Sequence, residues 1–508
     1  MKRLSLLVKG SALRGLESIV AIACGFITLP IMLNGLGKDM YGLWVLLSSF
    51  TAMMYLFDLG FASAVTRNIT LAISKKDSAG ANKVINSALL IYSCISLLII
   101  TFIIIAATSY TPELVSGVSE NDYQLVLCLI GFGLALDFPS KAFAGIFSAH
   151  YRYDIQSTYK IIFKLVHTGL LIFLISADYK IVAVATLTAS LSLLDTIVFV
   201  VMSKYVFREM KISTIFIDKF QILDLYRFSV WALVIDVGSM ARSRMDLFFI
   251  GSFVSYTAVS IYYIPVRLVD YSLQMLYRVL GITLPIFATH VSDKSKSSLV
   301  ADVLIIGRIN AYFSAVTIAF YLFFGKILLS LWMGEDYDSE TGYIILLILI
   351  VGRLSMLVND PLNNCLYAYG KHALLAAITV FEISLMLAGL VFSSMILEAN
   401  VIAIALSMSI PLILSRLIFY PILAIRKLEI SDGFRLMVLV YRPLLVVLPL
   451  IPLQLYVASL NGGVWVSSVI AAISVSAVFL LYMFIEIKDR EKNIILKLLS
   501  LVGWRRNE

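Results

Sequence analysis

Apolar runs long enough to cross a lipid bilayer recur along the whole chain. A hydrocarbon core about 30 Å thick requires about 20 mainly apolar residues in a helix. Fourteen such runs follow one another, near residues 11–33, 41–65, 84–108, 123–148, 156–176, 180–203, 226–253, 257–288, 304–331, 342–367, 372–397, 400–424, 437–459 and 464–486. The sequence therefore predicts an all-α polytopic membrane protein and excludes a soluble one. Its 14% of charged residues agrees, since soluble domains carry about 25%.

The connectors between these runs alternate in charge. Odd-numbered connectors are acidic or neutral, as at Glu335 and Asp336, whereas even-numbered connectors are basic, as at Lys75 and Lys76. Lysine and arginine accumulate on the cytoplasmic side of membrane proteins, so both termini are predicted to be cytoplasmic. This bias accounts for most of the formal charge of +8, and no nucleic-acid partner is predicted.

The four cysteines suggest neither a disulfide framework nor a metal site. Cys24, Cys94, Cys128 and Cys365 all lie in apolar runs, and no two of them form a CxxC pair. Metal sites and disulfide-stapled domains normally show such spacings. We therefore predict no metal and no cofactor.

Charged residues inside the apolar runs fall on shared helix faces. Such charges are costly in a bilayer and normally face a bundle interior or an aqueous pathway. Helical spacing places Tyr263, Arg267, Asp270, Tyr271, Gln274 and Arg278 on one face of the eighth run. The tenth run has Arg353, Asp360, Asn363 and Tyr367, the first Arg14 and Glu17, and the fifth Lys160, Lys164 and His167. These four helices are predicted to line a cationic, aromatic cavity.

Two explanations of these charges remain open. Opposite charges one turn apart on a helix, such as Asp137 with Lys141 or Arg267 with Asp270, could simply be ion pairs that accompany helix packing. The excess of basic residues instead favours an anionic passenger, because guanidinium groups bind phosphate oxygens bidentately and tyrosine rings suit sugars.

A weak internal repeat predicts two six-helix halves. Ala149-His150-Tyr151-Arg152 after the fourth run parallels Ala368-Tyr369-Gly370-Lys371 after the tenth. The predicted divisions are an N-terminal lobe at 1–206, a C-terminal lobe at 207–427, and two accessory helices with a tail at 428–508. Prolines inside the runs, including Pro361, are typical of bent helices in transporters.

Short motifs in both halves resemble one known family. They are Leu29-Pro30, Tyr41-Gly42-Leu43-Trp44, Asp58-Leu59-Gly60-Phe61 with Arg67, then Phe228-Ser229, Asp246, Ile250-Gly251 and Tyr262. These resemble the polysaccharide-biosynthesis, or Wzx-type, flippases of the MOP exporter superfamily. The resemblance implies two six-helix lobes around a central cavity, with two C-terminal helices in addition.

The resemblance also implies a function. It would be the flipping of an undecaprenyl-diphosphate-linked repeat unit between the leaflets of the bacterial inner membrane, from the cytoplasmic to the periplasmic side. Alternating access coupled to a proton or sodium gradient would drive this step in O-antigen, capsule or exopolysaccharide assembly. The implied partners are the lipid-linked glycan, membrane lipids, and the polymerase and chain-length components of the same pathway.

The site hypothesis assigns roles to selected residues inside the spans. Diphosphate binding is assigned to Arg14, Lys141, Lys164, Arg267 and Arg278. Sugar binding is assigned to Tyr263, Tyr271, Gln274, Arg353, Asn363 and Tyr367. Ion coupling is assigned to Glu17, Asp58, Asp360 and Glu382, and no residue is assigned a catalytic role.

Two other functions compete with flipping. A multidrug exporter of the same superfamily would extrude organic cations, which an arginine-rich cavity disfavours. A membrane-embedded glycan polymerase or other glycan-modifying enzyme should carry a large external loop, and no connector is long enough for one.

Overall fold

Every regular element in the described part of the chain is helical. The structure, a computed structural model, describes residues 2–58, 61–109, 119–280, 296–369, 371–395, 400–430 and 432–459. Within these ranges there are α-helices, short 3₁₀ turns and one π turn. The predicted all-α fold is confirmed.

The first compact unit is Met1–Ser260. Its helices are α1 (Lys2–Leu36), α2 (Lys38–Met53), α3 (Phe61–Ser74), α4 (Ser78–Ser109), α5 (Glu120–Ser140), α6 (Ala144–Ala149), α7 (Tyr153–Ser176), α8 (Ile181–Val206) and α9 (Lys219–Phe253). Helix α1 packs mainly on α7, and α5 packs between α4 and α8. Phe61 of α3, Tyr92 of α4 and Phe138 of α5 are completely or almost completely buried in this unit.

The second compact unit is Ile261–Glu508. Helix α10 (Tyr256–Leu280) begins just before it, and the following helices are α11 (Lys296–Met333), α12 (Ser339–Val358), α13 (Asp360–Ala368), α14 (His372–Met395), α15 (Val401–Leu414), α16 (Tyr420–Leu428), α17 (Gly433–Tyr441) and α18 (Leu450–Ser459). Helix α12 packs on α11 and α15. Leu366 of α13 and Tyr420 of α16 are fully buried in the hydrophobic core of this unit.

Among the residues that the structure describes, eleven helical stretches are long and apolar enough to cross a membrane. They correspond to predicted spans one to six and nine to thirteen, so the chain is a multi-pass membrane protein. Predicted spans seven and eight correspond to the helices α9 and α10, which are not among the eleven. Charged residues such as Arg267 and Asp270 lower the hydropathy of α10. Residues 281–288 of the predicted eighth span lie outside the described residues. The fourteenth, at 464–486, lies outside the described residues. The count of fourteen and the cytoplasmic termini stay predictions.

Several spans are interrupted where polar residues or proline occur. The second ends in a 3₁₀ turn, Met54–Asp58. The tenth breaks between α12 and α13 at Asn359. Pro361 lies in the first turn of the new helix, where its missing N–H and fixed φ are tolerated. The twelfth contains a π turn, Ser415–Phe419, between α15 and α16. These breaks place the polar residues Asp58, Asn359 and Arg416 inside the spans.

The predicted lobe boundaries stay predictions. They follow an internal repeat, with divisions after residues 206 and 427, whereas the packing units divide between Ser260 and Ile261. The difference lies in α9, which packs on α2, α3 and α4 of the first unit. A helix can belong to one half by repeat and to the other by packing.

Gly42 provides a test of the close packing in the first unit. A β-carbon on Gly42 would lie 1.8 Å from the carbonyl oxygen of Tyr256, whereas one on Gly15 would meet nothing within 4 Å. We expect Gly42→Ala to destabilise the protein by about 1–3 kcal/mol, because backbone has to move. Gly15→Ala should be neutral or stabilising, since alanine favours helix. Thermal melting in detergent measures both, and equal melting temperatures would contradict the packing.

Candidate functional site

In the first unit, charged residues on α1 lie against α7. The guanidinium carbon of Arg14 stands 3.5 Å from the centroid of the Tyr153 ring. One turn later, a carboxylate oxygen of Glu17 lies 3.9 Å from the ammonium nitrogen of Lys160. The structure therefore brings together two faces that the sequence places in one cavity. Lys164, one turn beyond Lys160, is half-buried on the same helix.

A second cluster in this unit consists of carboxylates that accept hydrogen bonds from tyrosines. Tyr92 donates to Asp58 at 2.7 Å, and Tyr55 donates to Asp137 at the same distance. The ammonium group of Lys141 lies 3.7 Å from Asp58. Asp58 thus has a hydroxyl donor and a cation as neighbours. This compensates its charge inside the helix bundle.

Lys141 is enclosed by this cluster. Its ammonium nitrogen lies 4.7 Å from the centroid of the Tyr55 ring and 4.3 Å from that of Phe138. Aromatic faces attract cations electrostatically, and more strongly when water is excluded. Lys141 therefore contributes to an internal network, and its assignment to the diphosphate stays a prediction.

In the second unit, the polar stripes of α10 and α12 meet. The guanidinium of Arg353 on α12 donates a hydrogen bond of 3.1 Å to Asp270 on α10, in an ion pair whose side chains are 13% and 27% exposed. The alternative of a simple ion pair between packed helices applies to these two residues. The sequence pattern suggested Arg267 as the partner of Asp270, but the partner is Arg353, two spans further along the chain.

Arg267 has a different environment from Arg353. Its Nε donates to the hydroxyl of Tyr263 at 2.5 Å, and its guanidinium carbon lies 4.6 Å from the centroid of that ring. No carboxylate lies within ion-pair distance of it in the described ranges. A guanidinium has five N–H donors, and this hydrogen bond uses one. Arg267 is therefore a partly buried cation with donors to offer.

The remaining α10 residues of the hypothesis differ in exposure. Tyr263 is buried, Tyr271 is half-buried, and Gln274 and Arg278 are exposed near the C-terminal end of the helix. With 3.6 residues per turn, Gln274 lies about two turns and Arg278 about three turns beyond Arg267. The stripe therefore changes from enclosed to open along its length.

The break between α12 and α13 gathers amide side chains. Asn364 donates to Asp360 at 2.9 Å, and the amide oxygen of Asn363 lies 3.5 Å from a guanidinium nitrogen of Arg416. Tyr367, one turn beyond Asn363, is exposed. Asp360 has no cation at ion-pair distance among the residues described. It differs in this from the other three carboxylates assigned to ion coupling.

Glu382 on α14 is completely buried and paired with Arg416. The Nη2 of Arg416 donates to one carboxylate oxygen at 2.9 Å, while Nε makes a 2.5 Å ion-pair contact with the other. The hydroxyl of Ser415 donates to the same carboxylate at 2.7 Å. This pair is what the sequence reasoning missed, because it compared residues along single helices. The available signal was an acidic residue, Glu382, in one span and a basic residue, Arg416, in the next.

The π turn that carries Arg416 is bound to the break beside α13. Asn359 donates its amide to the carbonyl of Arg416 at 2.6 Å and to that of Ser355 at 3.0 Å. Tyr441 in turn donates to the amide oxygen of Asn359 at 2.8 Å. A backbone carbonyl released from its helix is costly in a membrane unless a side chain satisfies it. One asparagine therefore stabilises two interrupted spans.

The polar side chains inside the spans differ in what they can bind. No group of three potential metal ligands occurs within the part of the chain that the structure describes. Basic side chains, amides and tyrosines lie beside carboxylates there, and groups of these three kinds can bind phosphate oxygens and sugar hydroxyls.

Residues 7–291 match the family model described as polysaccharide biosynthesis protein. That match covers more than half of the chain. The chain belongs to the polysaccharide biosynthesis protein family. The family resemblance recognised in its motifs is confirmed.

Other known proteins agree with this membership. A protein of Shigella flexneri named "Putative O-antigen transporter" is 23% identical over 397 residues, which are 77% of this chain and 91% of that one. The structure of the lipid II flippase MurJ in an inward closed conformation aligns with a TM-score of 0.67 at 13% identity, covering 94% of this chain and 98% of that one.

An inward-facing multidrug resistance transporter of the MATE family, from the MOP superfamily, aligns with a TM-score of 0.61 at 14% identity. The alignment covers 82% of this chain and 99% of that one. At such identities the two structural matches show the fold alone. The fold is that of MOP superfamily transporters, and the residue assignments above stay predictions.

The Glu382–Arg416 pair provides a stability test. Removing one partner leaves an uncompensated buried charge, so Arg416→Met should destabilise the protein by about 3–5 kcal/mol. The double variant Glu382→Leu with Arg416→Met should recover most of that loss, because apolar pairs of similar volume often replace buried ion pairs without cost. Melting temperatures of the purified variants measure this. A double variant no more stable than Arg416→Met would contradict the charge argument.

Proposed function

We propose that this protein flips an undecaprenyl-diphosphate-linked oligosaccharide repeat unit from the cytoplasmic to the periplasmic leaflet of the bacterial inner membrane. The proposal rests on family membership together with one observation, the environment of Arg267. A partly buried guanidinium that keeps donors available and has no carboxylate partner in the described ranges is suited to an anionic ligand. A diphosphate provides such a ligand within a lipid.

Arg267 is the principal diphosphate residue in this proposal. The hydroxyl of Tyr263 fixes its Nε, which leaves the two terminal nitrogens of the guanidinium to meet phosphate oxygens. Arg278, exposed two to three turns further along α10, meets the headgroup on entry. Arg14, Lys141 and Lys164, all in the first unit, keep their assignment to the diphosphate as part of the proposal.

The sugar moiety meets the polar residues that follow the diphosphate site. Tyr263 and Tyr271 offer aromatic faces, and Gln274, Asn363 and Tyr367 offer hydrogen bonds. Arg353 is held by Asp270 at 3.1 Å. A charge-neutral pair of this kind binds hydroxyl groups without competing for the diphosphate.

Asp360 is the preferred residue for coupling transport to an ion gradient. Glu17, Asp58 and Glu382 each have a lysine or arginine within 4 Å. Asp360 has an amide donor, Asn364, and no such cation among the described residues. A carboxylate without a cation partner is the one whose charge a proton or a sodium ion most readily neutralises.

Export of organic cations is the weaker alternative. Arg267 would repel a cationic drug inside a medium of low dielectric constant. The family model that this chain matches also describes polysaccharide biosynthesis proteins.

Arg267 and Arg278 provide the test of this function. In a strain that lacks its own repeat-unit flippase, Arg267→Gln with Arg278→Gln should lower surface glycan by about tenfold or more. Each lost hydrogen bond to a charged group is worth roughly 1.5–3 kcal/mol, and 1.4 kcal/mol is about tenfold. Arg267→Lys should be intermediate, because lysine keeps the charge but not the planar fork.

Lys326→Gln is the matched control for charge removal. Lys326 pairs with Glu340 at an exposed site, and exposed pairs contribute little, so glycan should be unchanged. Protein abundance in the membrane is measured for every variant. Normal surface glycan in the double arginine variant would refute the anion-binding site.

A further inference from the structure

The connector between α8 and α9 is bound along the first turns of α4. Asn82 donates to the carbonyl of Glu209 at 3.0 Å and accepts from the backbone N–H of Lys211 at 2.8 Å. One turn later, Asn86 repeats both contacts with residues 211 and 213, at 2.8 and 2.9 Å. Two asparagines at i and i+4 thus fix an extended segment, as a neighbouring β-strand would.

The acidic groups of this connector point toward the first unit. Glu209 accepts a hydrogen bond from Ser78. Asp218 pairs with Lys83 at 3.0 Å and accepts from the N–H of Phe220 at 2.8 Å, at the start of α9. The hydrogen bond from Lys83 lowers the pKa of the Asp218 carboxyl. Its negative charge is therefore retained and compensated inside the unit.

The basic groups of the same connector have the opposite arrangement. Arg208, Lys211 and Lys219 are exposed, and their side chains form no ion pair within the residues that the structure covers. Lys204 is exposed too and donates to the carbonyl of Arg208 at 3.0 Å. The outer surface of the connector is consequently cationic.

Large apolar side chains lie exposed among these cations. Ile215 is 88% exposed and Phe220 is 72% exposed, and Ile212 and Leu223 are more than half exposed. Phe207 and Met210, by contrast, are buried against the unit. The hydrogen bonds of Asn82 and Asn86, which we call the asparagine clamp, therefore determine which apolar residues face outward. Exposed apolar groups bordered by positive charge mark an interaction surface.

The position of the connector indicates what covers this surface. It follows Val206, the last residue of a membrane span, and lies beside the first turns of another span that begins at Ser78. A segment between two span ends is located at the membrane surface. Apolar side chains there enter the headgroup region, while lysine and arginine reach lipid phosphates.

We infer that residues 207–223 form an interfacial anchor, in which Ile212, Ile215 and Phe220 insert into the adjacent leaflet and Arg208, Lys211 and Lys219 bind anionic phospholipid headgroups. The two asparagines of α4 hold the anchor in this orientation. The anchor is independent of the transported substrate. It fixes the depth of the first unit in the bilayer and depends on lipid charge.

A spin label at position 215 tests the anchor in the full-length protein. Ile215→Cys is labelled with a nitroxide after Cys94→Ser and Cys128→Ser, and the protein is reconstituted in nanodiscs of phosphatidylcholine with phosphatidylglycerol. Collision rates with oxygen and with a water-soluble nickel complex report depth. We expect the oxygen-to-nickel ratio to exceed severalfold that of Lys75→Cys, an exposed residue in the short connector just before α4.

Neutral variants separate lipid charge from simple burial. Arg208→Gln, Lys211→Gln and Lys219→Gln together should move the label toward water, as should nanodiscs of phosphatidylcholine alone. Asn82→Ala with Asn86→Ala should have the same effect by releasing the clamp. A label that reads as aqueous in the anionic nanodiscs would overturn the inference. Dipolar coupling between labels would assign the surface to a second copy of the chain and would overturn it too.

Discussion

A charge inside an apolar span is costly unless a partner compensates it, and this constraint organises both units. Water is absent from the hydrocarbon core, so an isolated charge or an unpaired carbonyl is costly there. Glu382 with Arg416, Asp270 with Arg353, and Asp58 with Lys141 each meet that requirement between different helices. The helices that these pairs join are thereby fixed in register, and the interrupted spans lie beside them.

The exceptions to this compensation carry the functional argument. Arg267 has a tyrosine hydroxyl as its hydrogen-bond partner, and Asp360 has an asparagine amide. Neither has an opposite charge at ion-pair distance within the described residues. In the proposed function, Arg267 would bind the anionic substrate and Asp360 the coupling ion. The same unit contains both, on α10 and α13, and the paired residues around them supply the rigid frame.

The sequence predicted the helices well and the contacts between them poorly. A run of about 20 apolar residues forms a helix in a bilayer. Counting such runs therefore predicted the eleven spans that occur among the described residues. Periodicity also placed Arg267 and Asp270 on one face of α10. It could not show that Asp270 pairs with Arg353, because helical phase describes one helix at a time. The π turn at Arg416 and the asparagine clamp on the connector depend on packing and left no periodic signal.

Transport of the lipid itself tests the central claim most directly. The repeat unit on undecaprenyl diphosphate, purified from a strain that lacks its flippase, is incorporated into vesicles with the purified protein. Its accessibility to an external sugar-oxidising reagent then reports movement between leaflets. The account predicts movement with the wild type, and loss of it with Arg267→Gln at unchanged melting temperature. Equal movement by the Arg267→Gln protein would contradict the account.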